Sequence, residues 1–370
     1  MSPAKVRAPT PQHIARRRLA SQHLIKPTVH DPAEVVRRLG AVQSQDYAGA
    51  KWGVGLRGAA ITNEMVERAL TDGTIIRTHV LRPTWHFMAA DDARWILALT
   101  GPRVHAANSH YSRKLELDDA LFRKSAKILT KALAGGKHLT REELDAALAK
   151  GGITSGHPQR LAYLMMHAEL NAVICSGPRR GNQFTYALFD ERVPPSKPLA
   201  RDEALAELAR RYFATRGPAT VPDFAWWSGL TIADAKKATA MLGSEITQEQ
   251  IGGVSYWFCG APVVRASRVR AVHLLPNYDE FFIGFKDRSA ILTVVKGFSL
   301  VPGDPMFTSH VVVLDGQLIG GWKRTVTSKA AAVEIELLSR PVAPVRRALL
   351  ATAKRYGELL GVPVEVTGHD

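Results

Sequence analysis

Three times along the chain, helix-patterned segments are followed by two short strand-like runs joined by a turn. The clearest copy lies in the middle. "DDALFRKSAKILTKALAGG" carries an apolar stripe and ends at paired glycines, and "HLTREELDAALAKGG" opens on a capping box, Thr140 with Glu143, before stopping at Gly151. "PQRLAYLMMHAEL" reads as a third helix, and "AVICSG" and "QFTYALF" as strands joined by "PRRGN". Three helices and a hairpin with a basic tip form the winged helix-turn-helix pattern. A second copy runs through "RDEALAELARRYFATRG", "TVPDFAWWSG" and "TIADAKKATAML", closing in "EITQEQIGGVSYWFCG", whose hairpin turns at Gly252-Gly253. A looser copy occupies the front: a basic N-terminal helix, a helix capped by Asp31 with Pro32 at its first position, another in "TNEMVERALTDG", and a hairpin in "TIIRTHVLRPTWHFM".

The last hundred residues change character. "VRAVHLLPNYDEFFIGF", "HVVVLDGQLIGGWKR" and "AAAVEIELLS" are strand-rich, Asp315-Gly316 is a hairpin turn signal, and one helix, "APVRRALLATAKRYGELLG", follows. Short strands with a single helix suggest a small barrel or half-barrel. The expected architecture is α+β: a first winged helix with bridging helices over residues 1–116, a second over 117–197, a third over 198–261, and a C-terminal β-barrel-like domain over 262–370. One helix-turn-helix in a basic chain suggests a regulator. Three in tandem, with a barrel, suggest a protein that wraps its nucleic acid.

Charge points the same way. The net charge of +15 attracts polyanions, nucleic acid first among them. A GC-rich coding bias toward arginine is the bland alternative. Two cysteines, Cys175 and Cys259, stand far apart, which excludes a disulfide framework and offers no zinc-type spacing. The first thirty residues lack an apolar core, so no signal peptide is expected, and no run is long and apolar enough to span a membrane. The expected location is cytoplasmic, at the nucleoid through DNA binding. No cofactor, metal, membrane or obligate protein partner is implied.

"GVGLRG" matches a dinucleotide-binding fingerprint, but "AGAKW" precedes it where a strand is required, and no parallel-sheet pattern follows. The basic candidates for DNA contact are Lys51, Arg77 and Arg82 of the first unit, Arg179 and Arg180 at the tip of the second hairpin, and Lys323 and Arg324 in the C-terminal region. Each could equally be a solvated surface charge. Trp85, Trp95, Trp226 and Trp227 are core residues or stacking platforms for bases. Thr84 and His86, two apart on one strand, share a face and form either a pocket or a satisfied core pair.

Gln43 and Gln45 in "AVQSQDYAGAKWG" raise a different question, since they follow a helix that weakens at Gly40. Within a helix two such residues point about 200° apart; in an extended segment they point the same way. Both amides can then face one site, whereas an ordinary helix end would leave them solvent-exposed.

"RLGAVQSQDYAGAKWGVGLR", "IIRTHVLRPTWHFMAADDARWIL", "LLPNYDEFFIGFKDRS" and "VVVLDGQLIGGWKR" resemble the AlkZ-like family of bacterial DNA glycosylases, in order and over nearly the whole chain. The resemblance implies three tandem winged helices with a C-terminal β-barrel. It also implies metal-independent, monofunctional removal of N7-alkylated purines from double-stranded DNA, including bulky adducts and interstrand crosslinks of genotoxic natural products. The family's catalytic Gln-x-Gln falls on Gln43 and Gln45; a related branch has Gln-x-Asp, and here Asp46 is one position out of register. The Gln-x-Gln branch is the one whose members protect antibiotic producers from their own toxins. Two readings compete with it: a non-enzymatic winged-helix regulator or architectural protein, and a DNA-cleaving enzyme, for which no carboxylate cluster is visible in the sequence.

Overall fold

In the computed structural model, which describes residues 10–260, 271–292 and 310–368, local capping signals place the helices of the first unit. Helix α1 spans Pro11–Ser21 and α2 spans Pro32–Leu39. Asp31 accepts from the Ala33 amide at 3.0 Å, and Gly40, at φ +77°, turns the chain into strand β1, Val42–Gln43. Asp46 then caps α3, Tyr47–Arg57, by accepting from the Gly49 amide at 3.0 Å. The glycine run that imitates a nucleotide loop is thus helical. A Cβ at Gly55 would lie 2.1 Å from Leu359 Cδ1, so that glycine lets the C-terminal helix approach. Helix α4, Asn63–Asp72, leads into strands β2, Ile75–Val80, and β3, Arg82–Ala89, which form a three-stranded sheet in the order β1-β3-β2. A 25-residue helix, α5 (Ala90–Lys114), leaves this unit.

The middle stretch holds α6 (Asp119–Leu133), β4 (Leu139–Thr140), α7 (Arg141–Lys150), α8 (Pro158–Leu170), β5 (Ile174–Ser176), β6 (Thr185–Leu188) and the short α9 (Phe189–Arg192). Both bonds of the Thr140–Glu143 capping box form, at 3.2 and 2.7 Å. The third stretch is α10 (Arg201–Arg216), α11 (Val221–Ser228), α12 (Ile232–Met241) and the hairpin of β7 (Thr247–Ile251) and β8 (Val254–Phe258), with Gly252 and Gly253 both at positive φ. The expected boundary at residues 261/262 lies outside the described residues.

The C-terminal region contains β9 (Val272–Leu275), the one-turn α13 (Glu280–Ile283), β10 (Val311–Leu314), β11 (Gln317–Val326), β12 (Ala331–Leu337), α14 (Ala343–Leu360) and β13 (Val364–Thr367). Here the structure corrects the expected barrel. Among the described residues the strands form one open five-stranded sheet in the order β13-β12-β11-β10-β9. A helix does the covering that closure would have done. Leu349, Ala353 and Tyr356 of α14 are buried in one core with Val311 to Val313, Val333 and Ile335, while alternate residues of β12 face outward. Trp52 and Leu56 of α3 belong to the same core, which joins the first unit to the last. No helix among the described residues is long and apolar enough to cross a membrane.

The third unit meets the first hairpin backbone to backbone. Gly229, at φ +69°, ends α11, and a Cβ there would stand 2.0 Å from the carbonyl oxygen of Leu81, the turn residue between β2 and β3. Gly229→Ala adds both a clash and a left-handed alanine, and should lower stability by about 2 kcal/mol or more, read as a lower denaturant midpoint. An unchanged midpoint would show that this contact yields freely.

Candidate active site

Gln43 is the last residue of β1, paired with His86 of β3. Extension persists one residue further, since the Ser44 amide donates to the Trp85 carbonyl at 2.7 Å. Gln43 is 8% exposed, and its Oε1 accepts from Arg82 Nη2 at 3.3 Å. Gln45 is exposed, with Oε1 3.4 Å from the Trp85 amide. Each amide oxygen accepts one long bond, but Gln43 is buried and Gln45 faces solvent.

What holds the strand is a carboxylate from the other end of the chain. Glu280 Oε1 accepts from the Gln43 amide at 2.9 Å, and its Oε2 from Arg216 Nη2 at 2.6 Å and Trp227 Nε1 at 3.0 Å. Arg216 also donates to the carbonyls of Leu39 and Ala41, so it clasps both flanks of Gly40. Beside it, Asp279 takes both terminal nitrogens of Arg57 at 2.8 Å, and Arg57 reaches Gln22 Oε1 at 2.5 Å. Burial pushes the Glu280 carboxyl upward, but the charge and hydrogen bond of Arg216, the Gln43 amide and Arg82 outweigh it. The net direction is below the ordinary glutamate value of 4.5.

Most basic candidates are already engaged. Lys51 is buried and donates to Glu67 Oε1 at 2.5 Å, Tyr47 donates to Oε2 of the same acid at 2.7 Å, and Arg179 approaches it at 3.5 Å. Arg77 is buried, donates to the Ser44 carbonyl at 3.1 Å, and lies 4.2 Å over Trp85 and 4.7 Å over Phe184. Together these bring the second hairpin against the first unit, beside a cavity of about 380 Å³ lined by Arg77, Trp85, Ser176, Phe184 and Tyr186. Arg324 pairs with Asp46 at 2.5 Å, while neighbouring Lys323 is exposed; both line a groove of about 610 Å³ with His310, Glu334 and Glu336. Arg180 is half exposed but bonds Glu143 at 2.8 Å and the His138 carbonyl at 2.7 Å. A guanidinium out of water needs such partners, and sequence alone does not show which arginines leave water.

Of the four tryptophans weighed as stacking platforms, Trp95 and Trp227 are core, and Trp226 is 42% exposed, its ring 5.9 Å from the Arg82 guanidinium. His86 is fully buried with Thr84 nearby, and its Nδ1 lies 2.9 Å from the Thr84 carbonyl. Glu280, Asp279 and Arg216 are the site residues that sequence reasoning missed. Their one visible signal was the adjacent acid pair inside the apolar run "NYDEFFIGF".

Glu280→Gln removes the charge facing Arg216 and should destabilise the protein by about 3–5 kcal/mol at neutral pH. Because the carboxyl is held below 4.5, its contribution is fully present above that pH and lost as pH falls below it, through the folded value. Denaturation of wild type and variant should therefore converge in acid. A gap that is constant with pH would show that Glu280 is not ionised.

The AlkZ-like DNA glycosylase family model matches residues 36–359. An interstrand DNA cross-link repair glycosylase of Streptomyces sahachiroi is 26% identical over 321 residues, covering 83% of this chain and 85% of that protein. The solved structure of Streptomyces sahachiroi DNA glycosylase AlkZ superposes with a TM-score of 0.77 at 24% identity, covering 96% of this chain and 98% of the other. The family model spans the segment that carries Gln43 and Gln45, and the chain belongs to the AlkZ-like family of DNA glycosylases.

Proposed function

We propose that the protein is a monofunctional glycosylase that hydrolyses the N-glycosidic bond of N7-alkylated purines in duplex DNA, bulky adducts and interstrand crosslinks included. Gln43 and Gln45 are its catalytic residues. The observation that carries this reading is the asymmetry of the two amides. Gln43 is fixed through its backbone by Glu280 and through its side chain by Arg82, and Gln45 stands exposed beside it.

The substrate explains why amides suffice. An N7-alkylated purine is cationic, so when the C1′–N9 bond breaks its electron pair leaves with a neutral base. No strong general acid is needed. Water then adds to C1′ of the oxocarbenium-like sugar and gives up a proton to solvent. The enzyme must place that water and stabilise the developing charge with fixed dipoles. A carboxamide oxygen accepts from water while its NH₂ donates to sugar or phosphate. Such a weak base also spares normal nucleotides. This chemistry calls for no metal.

We read the three helix-and-hairpin stretches as winged helices laid along the duplex. Arg180 and Lys323, the candidates most open to solvent, face phosphates. Lys51, Arg77, Arg82, Arg179 and Arg324 shape the walls near Gln43 and Gln45. A flipped base tethered to the opposite strand cannot enter a deep pocket, and a site at an exposed strand end avoids that extrusion. The relative's role in crosslink repair supports this substrate class.

Gln43→Ala and Gln45→Ala should each slow single-turnover excision of an N7-alkylguanine by about 10²- to 10³-fold, with DNA affinity nearly unchanged. The double variant should lose less than the product of the two, because both amides act on one water. EDTA should have no effect on wild type. Wild-type rates in both alanine variants would make the two glutamines a mere strand end, and tight binding to one preferred sequence without excision would favour a regulator.

A further inference from the structure

The buried face beneath Gln43 carries polar groups that catalysis by two amides does not account for. Gln43 pairs with His86 across β1 and β3, and Thr78 pairs with His86 across β2 and β3. The three side chains therefore share one side of the sheet, and Thr84, two residues from His86, lies on it too. His86 and Thr78 are both 0% exposed. His86 Nε2, Thr78 Oγ1 and Thr84 Oγ1 are buried and find no protein partner.

The tautomer of His86 follows from its one bond. A carbonyl can only accept, so Nδ1, 2.9 Å from the Thr84 oxygen, carries the proton and Nε2 presents a bare lone pair. Burial, then the nearby Arg82 charge, lowers the imidazole pKa to about 3, with Glu280 opposing and His79 adding slightly. Nε2 stays an acceptor throughout the working pH range. The orientation of Gln43 is assigned in the same way: Arg82 donates to Oε1, which leaves the amide NH₂ as a donor directed elsewhere.

A donor on Gln43, an acceptor on His86 and two hydroxyls able to play either part are the partners a buried water requires. We infer that His86 is a positioning residue for base excision: with Thr78 and Thr84 it holds a water that fixes the Gln43 carboxamide in its reactive orientation. The inference rests on the catalytic reading of Gln43. The water donates one hydrogen to His86 Nε2 and accepts from the Gln43 NH₂, while Arg82 holds the amide oxygen. Pinned at both ends, the carboxamide keeps a lone pair of Oε1 free for the attacking water.

The test is single-turnover excision of an N7-alkylguanine by the full-length protein, with DNA affinity and melting temperature measured alongside. His86→Phe keeps a buried ring but removes the acceptor, and should slow excision by about ten- to a hundredfold without weakening DNA binding. His86→Gln returns an acceptor oxygen and should restore most of the rate. In a Gln43→Ala background, His86→Phe should cause no further loss, since the residue acts through that amide. Thr78→Val, which preserves shape and removes one partner of the water, should show the same dependence on Gln43 and serves if the phenylalanine variant is unstable. Wild-type excision by His86→Phe, or a loss that multiplies with that of Gln43→Ala, would overturn the inference. Failure of the wild type itself to excise would instead overturn the proposed function.

Discussion

Glu280 sits where water does not reach, and each of its oxygens is claimed by a different part of the chain. Arg216 comes from the end of α10, Trp227 from α11, and the Gln43 amide from the edge of the first sheet. A buried charge is tolerable only with such partners, and removing any of them leaves the rest uncompensated. The position of Gln43 is therefore not a local property of β1. It is set by an acid 237 residues away, and by an arginine that also grips the carbonyls on both sides of Gly40. Asp279 with Arg57 and Asp223 with Arg18 repeat the device, tying the C-terminal region to α3 and the third stretch to α1.

These pairs change what the chain's positive charge means. The net excess still draws polyanions, but many arginines are occupied inside the protein or along its seams. Lys51 and Arg179 share Glu67, Arg324 holds Asp46 next to Gln45, and Arg77 lies over the rings of Trp85 and Phe184. On the proposed function, a cation used in this way would shape the path of a duplex more than attract one. On the same reading, such walls would suit a base still tied to the other strand, since a lid that closed over the base would have nowhere to go.

The features legible in the sequence were those decided within a few residues. The Asp31 cap, the Thr140–Glu143 box and the hairpin turns at Gly252-Gly253 and Asp315-Gly316 each depend on one or two neighbouring side chains or on positive φ at two adjacent residues. Helix α3 was hidden because three of its eleven residues are glycines, poor helix formers; Gly55 makes sense only against Leu359. The expected barrel failed for a related reason: alternation shows that one face of a sheet is covered, not whether a strand or a helix such as α14 covers it. The extended setting of Gln43 followed from Gly40, but its significance came from the family pattern. Glu280 and Arg216 could not have been matched in advance, since 64 residues separate them.

The central claim is that one anchored amide and one exposed amide together release a damaged purine and leave the strand intact. The most direct measurement incubates wild-type protein with a duplex carrying one N7-alkylguanine and counts free base, alkali-labile sites and strand breaks in the same sample. The account predicts that released base and alkali-labile sites rise together, one for one, with no breaks before alkali. Breaks that precede alkali, or bound DNA whose glycosidic bond stays whole, would contradict it.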